Sequence, residues 1–231
     1  MLIEYDKKIG ESMQQVINRF KKDYNLDSKE KVAFAGRLDP IAFGKIKLLT
    51  GEDIKDKDKL CEQDKIYSYS VIESFQTDTY DVLGLILKKN INYTENVFVE
   101  PFDFTQPYPI FSSKTVNIDG KMVRLWDAAK NNKLKSIEIP TKQVKIFYNK
   151  LKSREDILGS NLFELIQERV NKVDGDFRQK ETLEVWEKNI NKENLYRINH
   201  YETKISSGGY VRSIANNMGG VVFDINRIKY E

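Results

Sequence analysis

The sequence predicts an α+β fold, read as one domain over 1–231 with a helical insertion at 153–194. Three observations carry that reading. Period-two alternation of apolar residues, the mark of half-buried strands, recurs from residue 65 to residue 228. The longer helix-spaced apolar runs gather in only two places, one near the start and one inside the insertion. No stretch between these elements is long or polar enough to act as a linker, so they share one core.

Met13, Val16, Ile17, Phe20 and Tyr24 form one face of a helix that begins near Glu11 or Ser12, and Asn25-Leu26-Asp27-Ser28 ends it. Residues 31–51 read as strand, irregular loop and strand. Val32, Ala33 and Phe34 precede the loop, Ile46, Leu48 and Leu49 follow it, and Pro40 keeps Asp39 out of helical backbone. Residues 65–75 alternate, with Tyr67, Tyr69 and Val71 on one side and Ile66 and Ile72 on the other. Residues 81–87 read as a further strand. Residues 100–112, with Pro101, Pro107 and Pro109, read as an extended ordered loop, and 144–151 as a strand. In the insertion, Leu162, Leu165, Ile166, Val170 and Val173 have helical spacing, and Phe177, Leu183, Trp186 and Ile190 suggest a second helix. A strand at 196–206, the turn Ser207-Gly208-Gly209, a short helix at 211–218 and a strand at 221–228 complete the chain.

With 231 residues, 40% of them hydrophobic, the chain can bury a sizeable core. Its 32% charged residues exceed the roughly 25% of an average soluble protein. Yet 38 Lys and Arg against 35 Asp and Glu leave only +3, so a polyanion site must come from local clustering. A single cysteine, Cys61, excludes an intrachain disulfide or a cysteine metal cluster and points to a reducing compartment. A single histidine, His200, argues against histidine-based catalysis and multi-histidine metal sites. The start lacks the basic-then-apolar pattern of a leader, and no apolar run approaches the roughly 18 residues of a spanning helix. The expectation is a soluble, cytoplasmic protein.

Asp39 is the sharpest polar candidate, a carboxylate between Leu38 and Pro40 in an apolar stretch, with Gly36 and Gly44 able to admit unusual backbone angles or a closely approaching ligand. On pattern alone the commoner reading is a turn aspartate capping a neighbouring backbone group.

The stretch Gly36-Arg37-Leu38-Asp39-Pro40-Ile41-Ala42-Phe43-Gly44, continuing to Gly51-Glu52-Asp53-Ile54-Lys55, resembles the catalytic motif of the TruB family of pseudouridine synthases. Four further segments match in order. Lys7-Lys8-Ile9-Gly10-Glu11-Ser12 is similar to the family's N-terminal Lys-Pro-x-Gly-x-Thr element. Lys65-Ile66-Tyr67 with Thr77-Asp78-Thr79-Tyr80-Asp81-Val82-Leu83-Gly84 is similar to its tyrosine motif. Gln106-Pro107-Tyr108-Pro109-Ile110-Phe111-Ser112-Ser113 resembles Gln-x-Pro-Pro-x-Tyr-Ser-Ala, and Ser206-Ser207-Gly208-Gly209-Tyr210-Val211-Arg212-Ser213-Ile214 resembles Ser-x-Gly-Thr-Tyr-Ile-Arg-Ser-Leu.

The resemblance implies a pseudouridine synthase fold, a mixed and mostly antiparallel central sheet flanked by helices. It implies Asp39 as the catalytic aspartate acting on a flipped uridine, Tyr67 as the ring that stacks on uracil and relays the C5 proton, and Arg212 as the partner that keeps Asp39 ionised. Lys7 and Gly10 would shape the floor of the site, with Lys65, Arg37, Phe34 and Tyr210 as further substrate-binding positions. Lys114, Lys121, Arg124 and Lys130 are candidate phosphate contacts, each equally readable as a solvated surface charge.

Two substitutions depart from the family pattern. Phe34 replaces a histidine that helps displace the target base, and Arg37 replaces a threonine. The segment between Gly84 and Gln106 is shorter than usual, 153–194 reads as an added element, and with few residues after Ile228 the expectation is a chain lacking the C-terminal PUA domain of many members. The implied activity is isomerisation of a uridine to pseudouridine, first of all uridine-55 in the tRNA T-loop, by a monomer needing no metal, cofactor, membrane or obligatory protein partner. The same chemistry on another tRNA site, ribosomal RNA or mRNA is the first alternative. A non-catalytic RNA-binding or RNA-folding protein on the same scaffold is the second.

Overall fold

A computed structural model describes residues 1–131, 133–134 and 137–231. The chain opens with β1 (Leu2–Lys7) and α1 (Met13–Asp23). Ser12 and Gln15 cap α1 reciprocally, which fixes its start. Its buried stripe of Met13, Val16 and Phe20 packs on Ile46 and Leu48. β2 (Val32–Ala35) and β3 (Phe43–Thr50) flank the loop that carries Asp39. A 3₁₀ turn (Gly51–Asp56) and α2 (Lys57–Cys61) lead to β4 (Lys65–Glu73).

β5 (Phe75–Thr77) and β6 (Ile86–Lys89) form a small ribbon, followed by β7 (Phe102–Pro107). A hairpin of β8 (Thr115–Ile118) and β9 (Lys121–Arg124) runs into α3 (Leu125–Lys130). β10 (Thr141–Leu158), α4 (Gly159–Asn171), α5 (Gln179–Asn189) and β11 (Leu195–Ile205) come next. The chain closes with α6 (Val211–Asn217) and β12 (Gly220–Tyr230).

Eight strands make one sheet in the order β1-β3-β12-β4-β11-β10-β7, with β2 also paired to β3. Its junctions are antiparallel except β3 against β12, which run parallel at Phe43 opposite Asn226 and Gly44 opposite Arg227. The backbones approach closely there. Gly44 has φ +98°, and a Cβ on it would overlap the Arg227 carbonyl, so only glycine fits.

Both faces of the sheet are covered. On one, Tyr67, Tyr69, Val71 and Ile205 pack with Ile214 and Met218 from the α6 region. On the other, Ile72, Ile198 and Phe223 pack with Leu162, Ile166 and Trp186 from α4 and α5. Trp186 is fully buried and its Nε1 donates to the Val82 carbonyl at 3.1 Å. Fully burying one such side chain is worth about 1.5–3 kcal/mol, so several together make this helical pair part of the core rather than an appendage.

Three segments differ from the sequence expectation. Of 81–87, only the last part joins β6. Asp81 instead caps a turn, accepting from the Leu83 N–H at 3.0 Å and the Thr79 hydroxyl at 2.6 Å, and such local bonds compete with a strand ladder. The proline-rich 100–112 contains a true edge strand, β7, with Pro107 at its end. β10 runs well beyond 144–151, so 153–158 is strand rather than helix. That extension lies past the core and is held by polar pairs such as Arg197 to Asp156 at 2.8 Å, leaving no apolar alternation to read. Among the described residues no helix is long and apolar enough to cross a membrane.

Candidate active site

The loop between β2 and β3 is tied down from two sides. The Lys7 ammonium donates to the Pro40 carbonyl at 3.1 Å and the Ala42 carbonyl at 2.6 Å, and the Gly10 N–H donates to Pro40 at 2.9 Å. From β12, Arg227 donates to the Gly36 carbonyl at 2.8 Å and the Arg37 carbonyl at 3.0 Å. Leu38, Ile41 and Ala42 are buried on either side of Asp39. The aspartate therefore stands on fixed backbone. Burial pushes the Lys7 pKa down to about 8, against the pull of the nearby Asp39 carboxylate.

Arg212, at the start of α6, is 2% exposed and lies between two carboxylates. Its Nε is 2.8 Å from Asp39 Oδ2, an ion pair without an aligned hydrogen bond, and its Nη1 is 3.6 Å from Asp81 Oδ2. The remaining N–H groups donate to the carbonyls of Thr79 at 2.8 Å and Phe111 at 3.4 Å, which fixes the plane of the guanidinium. Burial alone would oppose its charge, and the two aspartates hold it. Asp81 is wholly enclosed, and burial pushes its pKa up to about 6, against the pull of Arg212 and the Thr79 hydroxyl.

Tyr67, on β4, is 6% exposed, and its oxygen accepts from Arg227 Nε at 3.2 Å. Arg227 also donates to the Tyr230 hydroxyl at 2.6 Å, so one buried guanidinium joins the Asp39 loop to the tyrosine. Lys65 donates to the carbonyls of Cys61 at 2.8 Å and Gln63 at 2.6 Å. Burial, then the charge of Arg227, brings its pKa down to about 8.

A cleft of about 510 Å³ opens over Asp39 and is also lined by Arg37, Arg124, Lys130 and Arg212. Arg37 reaches across it to the Ser113 hydroxyl at 2.6 Å. The other expected residues stand elsewhere. Lys7, Gly10, Lys65 and Tyr67 lie behind the lining and hold or back the loop. Tyr210 packs edge-on against Tyr108 at 5.8 Å, and burial followed by the Asp39 charge pushes its phenol up to about 12. Phe34 packs with the α1 cluster, away from the cleft. Lys114 sits 5.0 Å over the Tyr108 ring, and Lys121 is exposed on the hairpin.

Asp81, Arg227, Asp176 and Arg178 carry no functional signal of their own in the sequence, although Asp81 lies inside a matched motif, and Phe177 reads there only as part of a helical face.

The family model described as TruB family pseudouridylate synthase (N terminal domain) matches residues 21–158. The tRNA pseudouridine synthase B of Mycoplasma mobile is 32% identical over 144 residues, 58% of this chain and 48% of that protein. That of Malacoplasma penetrans is 32% identical over 151 residues, 61% of this chain and 59% of the relative. That of Brucella anthropi is 26% identical over 237 aligned positions, 97% of this chain and 58% of the relative. The chain thus spans about half the length of the curated relatives it matches. A solved Cbf5-Nop10-Gar1 complex contains a chain that superposes with TM-score 0.53 at 14% identity, over 99% of this chain and 48% of that one, which establishes the shared fold. With this architecture and the matched family model together, the chain belongs to the TruB family of pseudouridylate synthases.

Proposed function

We propose that the chain isomerises a uridine in RNA to pseudouridine, with Asp39 as the catalytic carboxylate. The observation that carries this reading is the ion pair of Asp39 with a buried Arg212, with Asp39 the more exposed of the two in the wall of the cleft. The reaction breaks the C1′–N1 glycosidic bond, turns the uracil and forms a C1′–C5 bond. The C5 proton is lost and N1 gains one, so atoms and electrons balance without an oxidant. It needs an ionised carboxylate that can assist at C1′, a site that excludes water, and an acceptor near C5. Arg212 holds the Asp39 carboxylate in place through the ion pair. Tyr67 backs the Asp39 loop from behind the cleft lining, held at its oxygen by Arg227, and relay of the C5 proton requires the flipped base to reach the remaining lone pair of that oxygen.

The substrate we propose is tRNA, with the uridine in the T-loop that corresponds to position 55. The names of the relatives support that class of RNA. The chain acts in the cytoplasm, as a monomeric catalytic domain over 1–231. The same chemistry on another RNA stays in view for one reason: Phe34, at the place of the family's base-displacing histidine, packs on α1 rather than in the cleft.

The test is tritium release from C5-labelled uridine in an unmodified tRNA transcript, with wild type and Asp39→Ala. Release by wild type alone establishes the activity and the aspartate together. Release from ribosomal RNA or mRNA but not tRNA moves the substrate and keeps the chemistry. RNA binding with no release from any of them favours the non-catalytic reading.

A further inference from the structure

The connection between α4 and α5 is built into the active-site cleft. Asp176, Phe177 and Arg178 line it together with Asp39 and Trp126. The connection is held in place rather than loosely draped. Arg178 pairs with Asp78 at 2.8 Å and lies 4.6 Å over the Phe111 ring. Its backbone takes φ +60°, a conformation that costs an arginine energy and that these contacts maintain. Gln179 ties the turn from inside, donating to the carbonyls of Val173 at 2.9 Å and Gly175 at 2.7 Å and accepting from the Phe177 N–H at 2.9 Å. Lys130 reaches from α3 to Asp176 Oδ2 at 3.5 Å, joining the two walls.

Phe177 is 37% exposed on this fixed support. A single exposed ring elsewhere on a surface would need no explanation. This one stands in a cleft with a second ring, Trp126, and with the cation of Arg124, the combination by which proteins hold unpaired nucleic acid through base stacking and phosphate contact.

We propose that Phe177 is a specificity-determining residue that stacks on a nucleobase flanking the target uridine, with the α4–α5 connection forming that wall of the RNA site. The inference rests on the RNA-modifying function proposed above and adds which part of the chain selects the RNA.

Wild type, Phe177→Ala and Phe177→Trp are compared in two measurements, the affinity for a fluorescent tRNA transcript by anisotropy and tritium release across RNA concentrations. Removing one base-stacking ring weakens binding by about 5- to 100-fold. Phe177→Ala should raise Kd and KM by such a factor, with the saturating rate falling less than KM rises, and Phe177→Trp should restore both. Unchanged affinity in Phe177→Ala, or a rate loss at saturation with KM unmoved, overturns the proposal. Failure of Phe177→Trp to restore binding overturns it too. If wild type binds the transcript but releases no tritium, the tRNA-modifying reading fails while the affinity arm still decides the role of Phe177. No binding by wild type overturns the tRNA reading and this proposal together.

Discussion

Asp39 and Arg212 meet at 2.8 Å with opposite exposures, the guanidinium 2% and the carboxylate 27% accessible. The guanidinium is buried beside the carboxylate, which is the more exposed member of the pair in the cleft wall. Asp39→Asn is close to isosteric and should lower turnover by at least about 10³-fold while RNA affinity changes by no more than a few-fold. Arg212→Lys should also impair turnover, because an ammonium cannot serve Asp39, Asp81 and the Thr79 carbonyl at once. Single-turnover rates beside equilibrium binding decide it. An active Asp39→Asn enzyme would end the assignment.

Asp81 gives the site a pH dependence. Its folded-state pKa, about 6, lies above the model-peptide value of 3.8, so the folded chain holds a proton that the unfolded chain releases between those values. The stability this group contributes is therefore full below the lower value and is lost as pH rises through about 6. Activity should move the other way. Protonating Asp81 removes one of the two charges that orient Arg212, so turnover should fall as pH drops through about 6. Asp81→Asn should be slower than wild type at neutral pH and lack that inflection. A variant with the wild-type profile would assign the inflection to another group.

Arg227 spans β12, the Asp39 loop and β4 with bonds to Gly36, Arg37, Lys45, Tyr67 and Tyr230. Arg227→Met would leave carbonyls without donors inside the protein, at roughly 1–3 kcal/mol for each buried unsatisfied group. The urea midpoint should fall and turnover should fall with it. Arg227→Lys should keep more of the stability than of the rate, since it fills the space but cannot hold the loop and the tyrosine together. Equal rates for Arg227→Lys and wild type would mean the clamp is structural only.

What could be read ahead of the structure follows from the range of the forces involved. The helical spacing of Met13, Val16 and Phe20 and the alternation through Tyr67, Tyr69 and Val71 are local signals, and α1 and β4 stand where those signals lie. Residues 81–85 look strand-like because Val82, Leu83 and Leu85 are apolar, but the carboxylate of Asp81 captures the local N–H and hydroxyl groups and makes a turn. Arg227 was invisible for the opposite reason. Amid Asn226, Ile228 and Lys229 it resembles any outward-facing strand charge, and only the β3–β12 junction, 183 residues apart at Gly44, encloses it. The pairing of Asp39 with Arg212 came from motif resemblance, since no local pattern links residues on β2–β3 and α6. The wall formed by Phe177 has no such motif, and its apolar spacing suggested only a helix.

Gly10 offers a test of how the helical pair supports the site. It has φ +82°, donates to the Pro40 carbonyl at 2.9 Å, and accepts from the Asp174 N–H at 3.3 Å. A Cβ there would overlap the Lys172 carbonyl at the end of α4. Gly51 has φ +58° but open space around its would-be Cβ, so Gly51→Ala isolates the backbone cost, about 1–2 kcal/mol. Gly10→Ala meets that cost and must also push α4 away or shift Pro40. It should destabilise the protein by at least about 1 kcal/mol more than Gly51→Ala. Because the displaced backbone is that of Pro40, next to Asp39, turnover should fall in Gly10→Ala and hold in Gly51→Ala. Urea midpoints and single-turnover rates for the two variants decide the matter, and equal losses would show that the α4 contact does not transmit to the aspartate.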